Sequence, residues 1–241
     1  MEALTGSRRR EWDKAPGWVS DAFEVDLRRQ GFAFVERHRP EISTLDIADR
    51  IGLREDIAGI PPVQTLRPKS VATSTGNLYS GNFGLGAFPY HTDLAHWFIP
   101  PRYILLRCQR GHDQVYTSVL GCELAVTGLS LGAIQRARFR PRRSWQGHRQ
   151  LLPFAQPVGT QSLLRWDSLF IVPDNADAVV VAARLKALDL RTTGEQFVLR
   201  HPGDTLIIDN WRVLHGRGPV HDGAHERLIE RIYLREIISN G

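Results

Sequence analysis

Cysteine is scarce: Cys108 and Cys122 are the only two in 241 residues. They stand in no CxxC spacing, so neither a thiolate metal site nor a disulfide scaffold is expected. Cys108 closes the apolar run Tyr103-Ile104-Leu105-Leu106-Arg107-Cys108 and reads as a buried core thiol. Long apolar runs are missing too. No stretch of about 18 apolar residues could cross a bilayer, and the first residues lack the apolar region of a secretory signal. No membrane partner is expected, and a cytoplasmic location is the default. There is no internal repeat and no glycine-rich phosphate loop. Acidic residues do not dominate either, since 31 Lys and Arg against 26 Asp and Glu leave a formal charge of +5. The densest basic runs are Arg8-Arg9-Arg10 and the stretch from Arg136 to Arg149 around Trp145. Such a stretch can bind phosphates and stack a base. A charge this modest is nevertheless ordinary for an enzyme, so nucleic acid is not expected; an anionic substrate, carrier or partner near this lobe is the better reading.

What the chain does contain is a pair of short polar segments far apart: His91-Thr92-Asp93, and His215 within Asn210-Trp211-Arg212-Val213-Leu214-His215-Gly216-Arg217. Residues two apart on an extended segment point the same way, so His91 and Asp93 can reach one metal from one strand end. Two imidazoles and one carboxylate can occupy one face of an octahedral Fe(II), leaving the opposite face for a co-substrate and O2. A His-x-Asp tripeptide alone is usually a surface hydrogen bond; the flanking residues give this one weight. After the turn-forming Gly216-Arg217-Gly218-Pro219, alternation places Arg227, Ile229 and Arg231 on one face of a strand and Leu228, Glu230 and Ile232 on the other. An inward arginine needs an anion, and its planar fork suits a carboxylate. The alternative is a structural ion pair with an inward acid, a reading that fits Arg231 better than Arg227.

Taken together, Phe88-Pro89-Tyr90-His91-Thr92-Asp93-Leu94, Pro100-Pro101, Asp204 to Arg217 and Arg227 to Arg231 resemble the Fe(II)/2-oxoglutarate dioxygenases of the taurine dioxygenase, gamma-butyrobetaine hydroxylase and clavaminate synthase superfamily. The resemblance runs from about Tyr79 to the C-terminus. It implies His91, Asp93 and His215 as iron ligands, with Arg227 holding the distal carboxylate of 2-oxoglutarate and Gln114 assisting it. It also implies Arg231 as a contact to an anionic substrate, with the structural ion pair left open. The implied activity is hydroxylation of an unactivated C–H bond with release of succinate and CO2. Desaturation, epoxidation and ring closure share the same cofactor chemistry. Halogenation is disfavoured, because halogenating relatives have a small residue where Asp93 stands.

Residues 1–17 are polar, Arg-rich and end in Pro16-Gly17, which reads as a flexible tail; residues 18–241 read as a single domain. Helices are expected at Asp21 to Gln30, Ser43 to Ile51, Cys122 to Leu129 and Asp174 to Leu188. Paired strands are expected within Val63 to Ser80, and further strands at Arg102 to Gln109, Gln114 to Ser118, Gln196 to Arg200, Thr205 to Asp209 and Leu228 to Glu236. Short strands, Gly and Pro turns and few helices give a mainly β fold with flanking helices. The expected architecture is a double-stranded β-helix, a clavaminate synthase-like jelly roll of two facing sheets whose open end holds the metal.

Around the motifs, Asn77, Tyr79, His96 and Trp97 are candidate substrate contacts, and Trp211 reads as a packing wall. The substrate is expected to be a small amino-acid-like or other anionic molecule, free or carrier-tethered, and a homo-oligomer is left open. The competing class is a metal-binding barrel without turnover, acting as a partner subunit. An intact triad with a placed Arg227 argues against it, because an idle site has no physical need for all four.

Overall fold

The computed structural model describes residues 21–76, 78–143, 150–221 and 223–238. Two antiparallel sheets face one another. The larger has the order Phe32–Val35, Thr205–Asp209, Tyr103–Arg110, Leu228–Ile237 and Gly52–Arg54, with Gln64–Leu66 also paired to Leu228–Ile237. The smaller runs Glu195–Val198, Tyr116–Gly121, Val213–Arg217 and Phe88–His91. From residue 195 onward the chain alternates between the sheets strand by strand, which is how a jelly roll closes without long crossovers.

Period-two patterning decides what each face meets. Ile104, Leu106 and Cys108 point between the sheets and join Leu206, Ile208, Val119, Val213, Ile229 and Tyr233 in one buried cluster. The intervening Tyr103 and Leu105, with Ile207, Ile232 and Leu234, face outward onto Phe23 and Leu27 of the first helix and Ile47, Ala48 and Ile51 of the second. The second helix, Thr44–Ile51, starts at Ser43, whose side chain accepts from the Asp46 amide at 3.1 Å, and stops at Gly52 as its sequence predicts. On the other side Ala176–Lys186, capped by Asn175, lays Ala178, Val181, Ala182 and Leu185 against Tyr90, Leu120 and Leu214 of the smaller sheet.

Several elements depart from the sequence expectation. Within Val63 to Ser80 only Gln64–Leu66 is a strand; a 3-10 turn at Val71–Thr73 and a helix at Tyr79–Phe83 replace the expected hairpin. Pro68 cannot donate to a ladder, and the polar residues after it bond locally, Ser70 to Thr73 at 3.1 Å and Asn82 to the Gly76 carbonyl at 2.9 Å. Gly81 sits in a tight approach: a Cβ there would lie 1.7 Å from the Thr75 carbonyl oxygen. The helix from Cys122 ends at Ala125, and a short helix at Leu131–Arg136 was not foreseen. The residue 1–17 tail, Asn77 and the basic segment 144–149 lie outside the described residues.

No helix among the described residues is long and apolar enough to cross a membrane. Both thiols are free and buried; burial pushes the Cys108 thiol up to about 11 and raises Cys122 further. Thiolate is the reactive form. A colorimetric disulfide reagent at pH 8 should therefore leave the native protein unlabelled and titrate both cysteines only after denaturation, and rapid native labelling of either would contradict this packing.

Candidate metal centre

His215 lies inside the strand Val213–Arg217 and His91 ends the strand Phe88–His91; the two are direct partners across the ladder. Antiparallel neighbours on one face stand close enough to share a ligand, and here the imidazole centroids are 4.4 Å apart. Beyond His91 the chain leaves the sheet, and Leu94 turns it with a φ of 55°. Asp93 is thereby brought back, with Oδ1 3.4 Å from His91 Nε2 and 3.5 Å from His215 Nε2. All three side chains are buried, and their ligand atoms lie within 4.8 Å of one another. These separations are long for good hydrogen bonds and suit donors around a common ion. The N2O donor set is one that Fe(II) accepts.

The other ligand-residue atoms of His91 and Asp93 are committed elsewhere, while His215 Nδ1 is buried without a partner among the described residues. His91 Nδ1 is 2.8 Å from the Pro89 carbonyl, which fixes the proton there and leaves the Nε2 lone pair for a metal. The second carboxylate oxygen of Asp93 accepts from Arg231 at 2.7 Å and from the Tyr233 hydroxyl at 2.9 Å. Burial pushes the Asp93 carboxyl up, but the Arg231 charge and the two imidazoles outweigh it and hold the group well below the usual carboxylate range. Burial lowers His215, helped by the neighbouring His91, while Asp93 overcomes the same burial to raise His91.

Residues with no obvious chemical signature hold this loop in place. The Asn210 side chain, wholly buried, accepts from the Asp93 amide at 2.8 Å and donates to the carbonyls of Asp93 and Pro101 at 3.0 and 2.9 Å. Thr92 exchanges hydrogen bonds with the backbone of Trp166, accepting at 2.9 Å and donating at 3.0 Å. Arg165, also wholly buried, donates to the carbonyls of Ala95 at 3.1 Å, Phe98 at 2.9 Å and Pro153 at 2.9 Å, and to that of Trp97. None of these roles was foreseen. Trp211 is half-buried, its indole donating to the Pro100 carbonyl at 2.9 Å.

A cavity of about 640 Å³ opens beside the centre, with Asp93, Tyr79, His96, Asp167, Arg231 and Tyr233 in its wall. Tyr79 stacks on His91, centroids 4.3 Å apart and planes 29° from parallel. Asp167 was missed by sequence reading: it is 1% exposed and accepts from the Leu169 and Phe170 amides at 2.7 and 2.9 Å. Burial raises its pKa against the pull of His91. A larger cleft of about 770 Å³ lies between the first helix and Arg102, Trp211 and Arg212. It contains none of the triad, and Arg102 is already paired with Asp209 at 3.3 Å, so the chemistry belongs to the smaller cavity.

The other expected site residues divide. Arg227 is 7% exposed, faces inward, and has no side-chain hydrogen bond or ion pair among the described residues; its Nε is buried without a partner. Arg231 instead spends its donors on Asp93 and, at 2.7 Å, on Gln64, which is the structural ion pair. Gln114 needs correction. It is exposed in the turn before the strand Tyr116–Gly121, and the inward polar residue of that strand is Thr117, buried and in register with Arg217. Trp97 packs against the inter-sheet cluster and is absent from the cavity wall, because the turn after Asp93 directs it back toward the core.

The fold and site together define a double-stranded β-helix with a buried His-Asp-His cluster. Among curated proteins the chain is similar to clavaminate synthase 2 of Streptomyces clavuligerus, 30% identical over an alignment of 164 residues that covers 61% of this chain and 49% of that protein. The chain thus spans about half the length of the curated relative it matches. Among solved structures, an asparagine oxygenase in complex with Fe(II), 2S,3S-3-hydroxyasparagine and succinate superposes with a TM-score of 0.66 at 17% identity, over 88% of this chain and 77% of the other. The non-heme iron oxygenase OrfP, with Fe, succinate and (3S)-hydroxy-L-Arg, gives 0.61 at 20% identity over the same shares. The likeness to the solved structures shows the jelly-roll fold. No family model matches the chain.

Asn210 supplies the sharpest test of this architecture, since it touches the metal loop without offering a ligand. Asn210→Ala should weaken Mn(II) or Fe(II) binding about 10–100-fold, the usual effect of losing an orienting partner. Unchanged affinity in a metal titration would show that the loop holds its shape without the amide.

Proposed function

We propose that this chain binds Fe(II) through His91, Asp93 and His215 and 2-oxoglutarate against Arg227, and hydroxylates an unactivated C–H bond of a small amino acid or close analogue, yielding succinate and CO2. One observation carries the reading: a buried two-His, one-carboxylate cluster shares the barrel interior with a buried guanidinium that has no acid partner among the described residues. An unpaired buried charge is costly, and a carboxylate brought by a ligand removes the cost. Relatives point the same way, one solved with a hydroxylated asparagine and one with a hydroxylated arginine.

When bound, iron and 2-oxoglutarate supply the activation of O2. The chain's own residues do the positioning. Arg227 neutralises the distal carboxylate in a site from which burial excludes water. Arg231 and Tyr233 keep Asp93 anionic and aimed, so its Oδ1 stays available beside the imidazoles. Because Asp93 fills the carboxylate position, no ligand site is surrendered to a halide. Asp167 offers the cavity a carboxylate whose hydrogen-bond partners among the described residues are the Leu169 and Phe170 amides, a complement for a substrate ammonium group. Exposed Arg142 and Arg143 at the mouth would suit an anionic end or an anionic carrier. Two free thiols fit a reducing cytoplasm.

Anaerobic addition of Fe(II) and 2-oxoglutarate should produce a weak visible absorption band, and its absence would sink the proposal. Arg227→Ala should raise the apparent KM for 2-oxoglutarate about 30-fold or more, as loss of a buried charge partner costs about 2–5 kcal/mol; an unaltered KM would move the carboxylate elsewhere. Asp167→Asn should raise KM for a cationic amino-acid substrate about tenfold while leaving 2-oxoglutarate binding intact. An equal loss for both would make Asp167 a purely structural acid.

A further inference from the structure

Arg217 has no part in the function just proposed, yet its surroundings are unusual. It follows the ligand His215 by two residues on the same strand, so it shares the inward face, and it is in register with Phe88 and Thr117. Its guanidinium lies over the Phe88 ring, 3.7 Å from the centroid. One Nη donates to the Gly84 carbonyl at 3.2 Å and to that of Gly86, while Nε is buried without a partner. No acid neutralises it among the described residues. Burial, and next the positive charge of Arg227, lower its pKa to about 10. The half-buried guanidinium of Arg217 therefore feels the positive charge of buried Arg227, and the two cations repel one another.

The acceptors identify what Arg217 holds. Gly84 and Gly86 end the helix Tyr79–Phe83, which presents Leu78, Tyr79 and Asn82 to the cavity and stacks Tyr79 on His91. Space there is tight, since a Cβ at Gly84 would meet a Val71 methyl at 2.8 Å and φ is +53°. Whatever fixes the two carbonyls fixes the cover over the metal face.

We propose that Arg217 is a positioning residue that couples an anion on Arg227 to closure of residues 78–86 over the metal centre. This rests on the reading that 2-oxoglutarate binds at Arg227. Without the dianion, repulsion from Arg227 opposes the seat of Arg217 on the Gly84 and Gly86 carbonyls. With the distal carboxylate in place the repulsion is neutralised, Arg217 settles on the carbonyls and the Phe88 face, and Tyr79 is pressed onto His91. Co-substrate binding thereby completes the wall that the substrate meets.

Hydrogen exchange on the full chain with Mn(II), with and without saturating 2-oxoglutarate, tests the coupling. The Gly81, Gly84 and Gly86 amides, which donate to Leu78, Ser80 and Phe83 carbonyls at 3.1, 2.9 and 2.7 Å, should exchange about tenfold more slowly when 2-oxoglutarate is present. Coupling is reciprocal, so Arg217→Gln should bind 2-oxoglutarate about tenfold more weakly by calorimetry and lose the exchange response. Arg217→Lys, which retains the charge and a donor, should recover part of both. A purely structural role would instead speed exchange equally with and without 2-oxoglutarate, and that result would overturn the proposal. So would unchanged or faster exchange in the wild-type protein on binding 2-oxoglutarate, or a persistent response in Arg217→Gln. Failure of the wild-type protein to bind 2-oxoglutarate at all would remove the proposed function along with it, whereas binding without an exchange response removes only the coupling.

Discussion

The two oxygens of Asp93 face different worlds, and the site depends on that division. One lies between the imidazoles of His91 and His215; the other is held by Arg231 and Tyr233. A buried carboxylate with free rotation would bond to the histidines and collapse the centre. Held on its far side by a cation and a phenol, it stays ionised and directed. The two anchors come from alternate positions of one strand, Leu228–Ile237, that belongs to the larger sheet, whereas both histidines come from the smaller. The centre therefore forms only where the sheets face each other, and the core cluster joining Leu106, Ile208, Val213 and Ile229 sets that spacing.

Much of this was legible in sequence because the signals are local. The His91 and Asp93 pair, the Asn210 to Arg217 segment and the alternation from Arg227 onward each fit within about ten residues, and period-two patterning assigns their faces. Arg165, Asn210 and Asp167 act instead through backbone atoms some 70 to 120 residues away in sequence, or through a turn inside the cavity wall. Contacts to carbonyls and amides leave no pattern in side-chain identity, so no periodicity could have shown them. Gln114 was misplaced for another reason: whether a residue beside a turn joins the ladder is decided by register, and a short slip exchanges the inner and outer faces. The segment after Pro68 failed as a strand because its Ser, Thr and Asn side chains satisfy the backbone locally.

The outer layers show why the site is firmly framed on one side and not on the other. Helices Thr44–Ile51 and Ala176–Lys186 cover the backs of the two sheets with apolar faces, so the strands carrying the histidines cannot shift without opening a core. The cavity side is built from turns and a five-residue helix, held by individual hydrogen bonds. Local stability follows packing density, so adjustment to a bound molecule belongs to that side.

Inward or buried arginines, Arg165, Arg217, Arg227 and Arg231 among them, separate structural from ligand-binding cations by what each one touches. Arg231 meets the carboxylate of Asp93, and Arg165 saturates itself on carbonyls. Arg217 rests on two carbonyls and an aromatic face. Arg227 alone among them has neither an acid nor a carbonyl on its side chain among the described residues, though burial lowers its pKa to about 10. Folding does not retain a desolvated guanidinium without a counter-group for packing alone, because an apolar side chain would fill the space at lower cost. In the proposed function that counter-group arrives with a ligand, and a molecule that chelates a metal at one end and carries a carboxylate at the other would serve the triad and Arg227 together. That complementarity, more than the triad itself, is what directs the proposed function to 2-oxoglutarate.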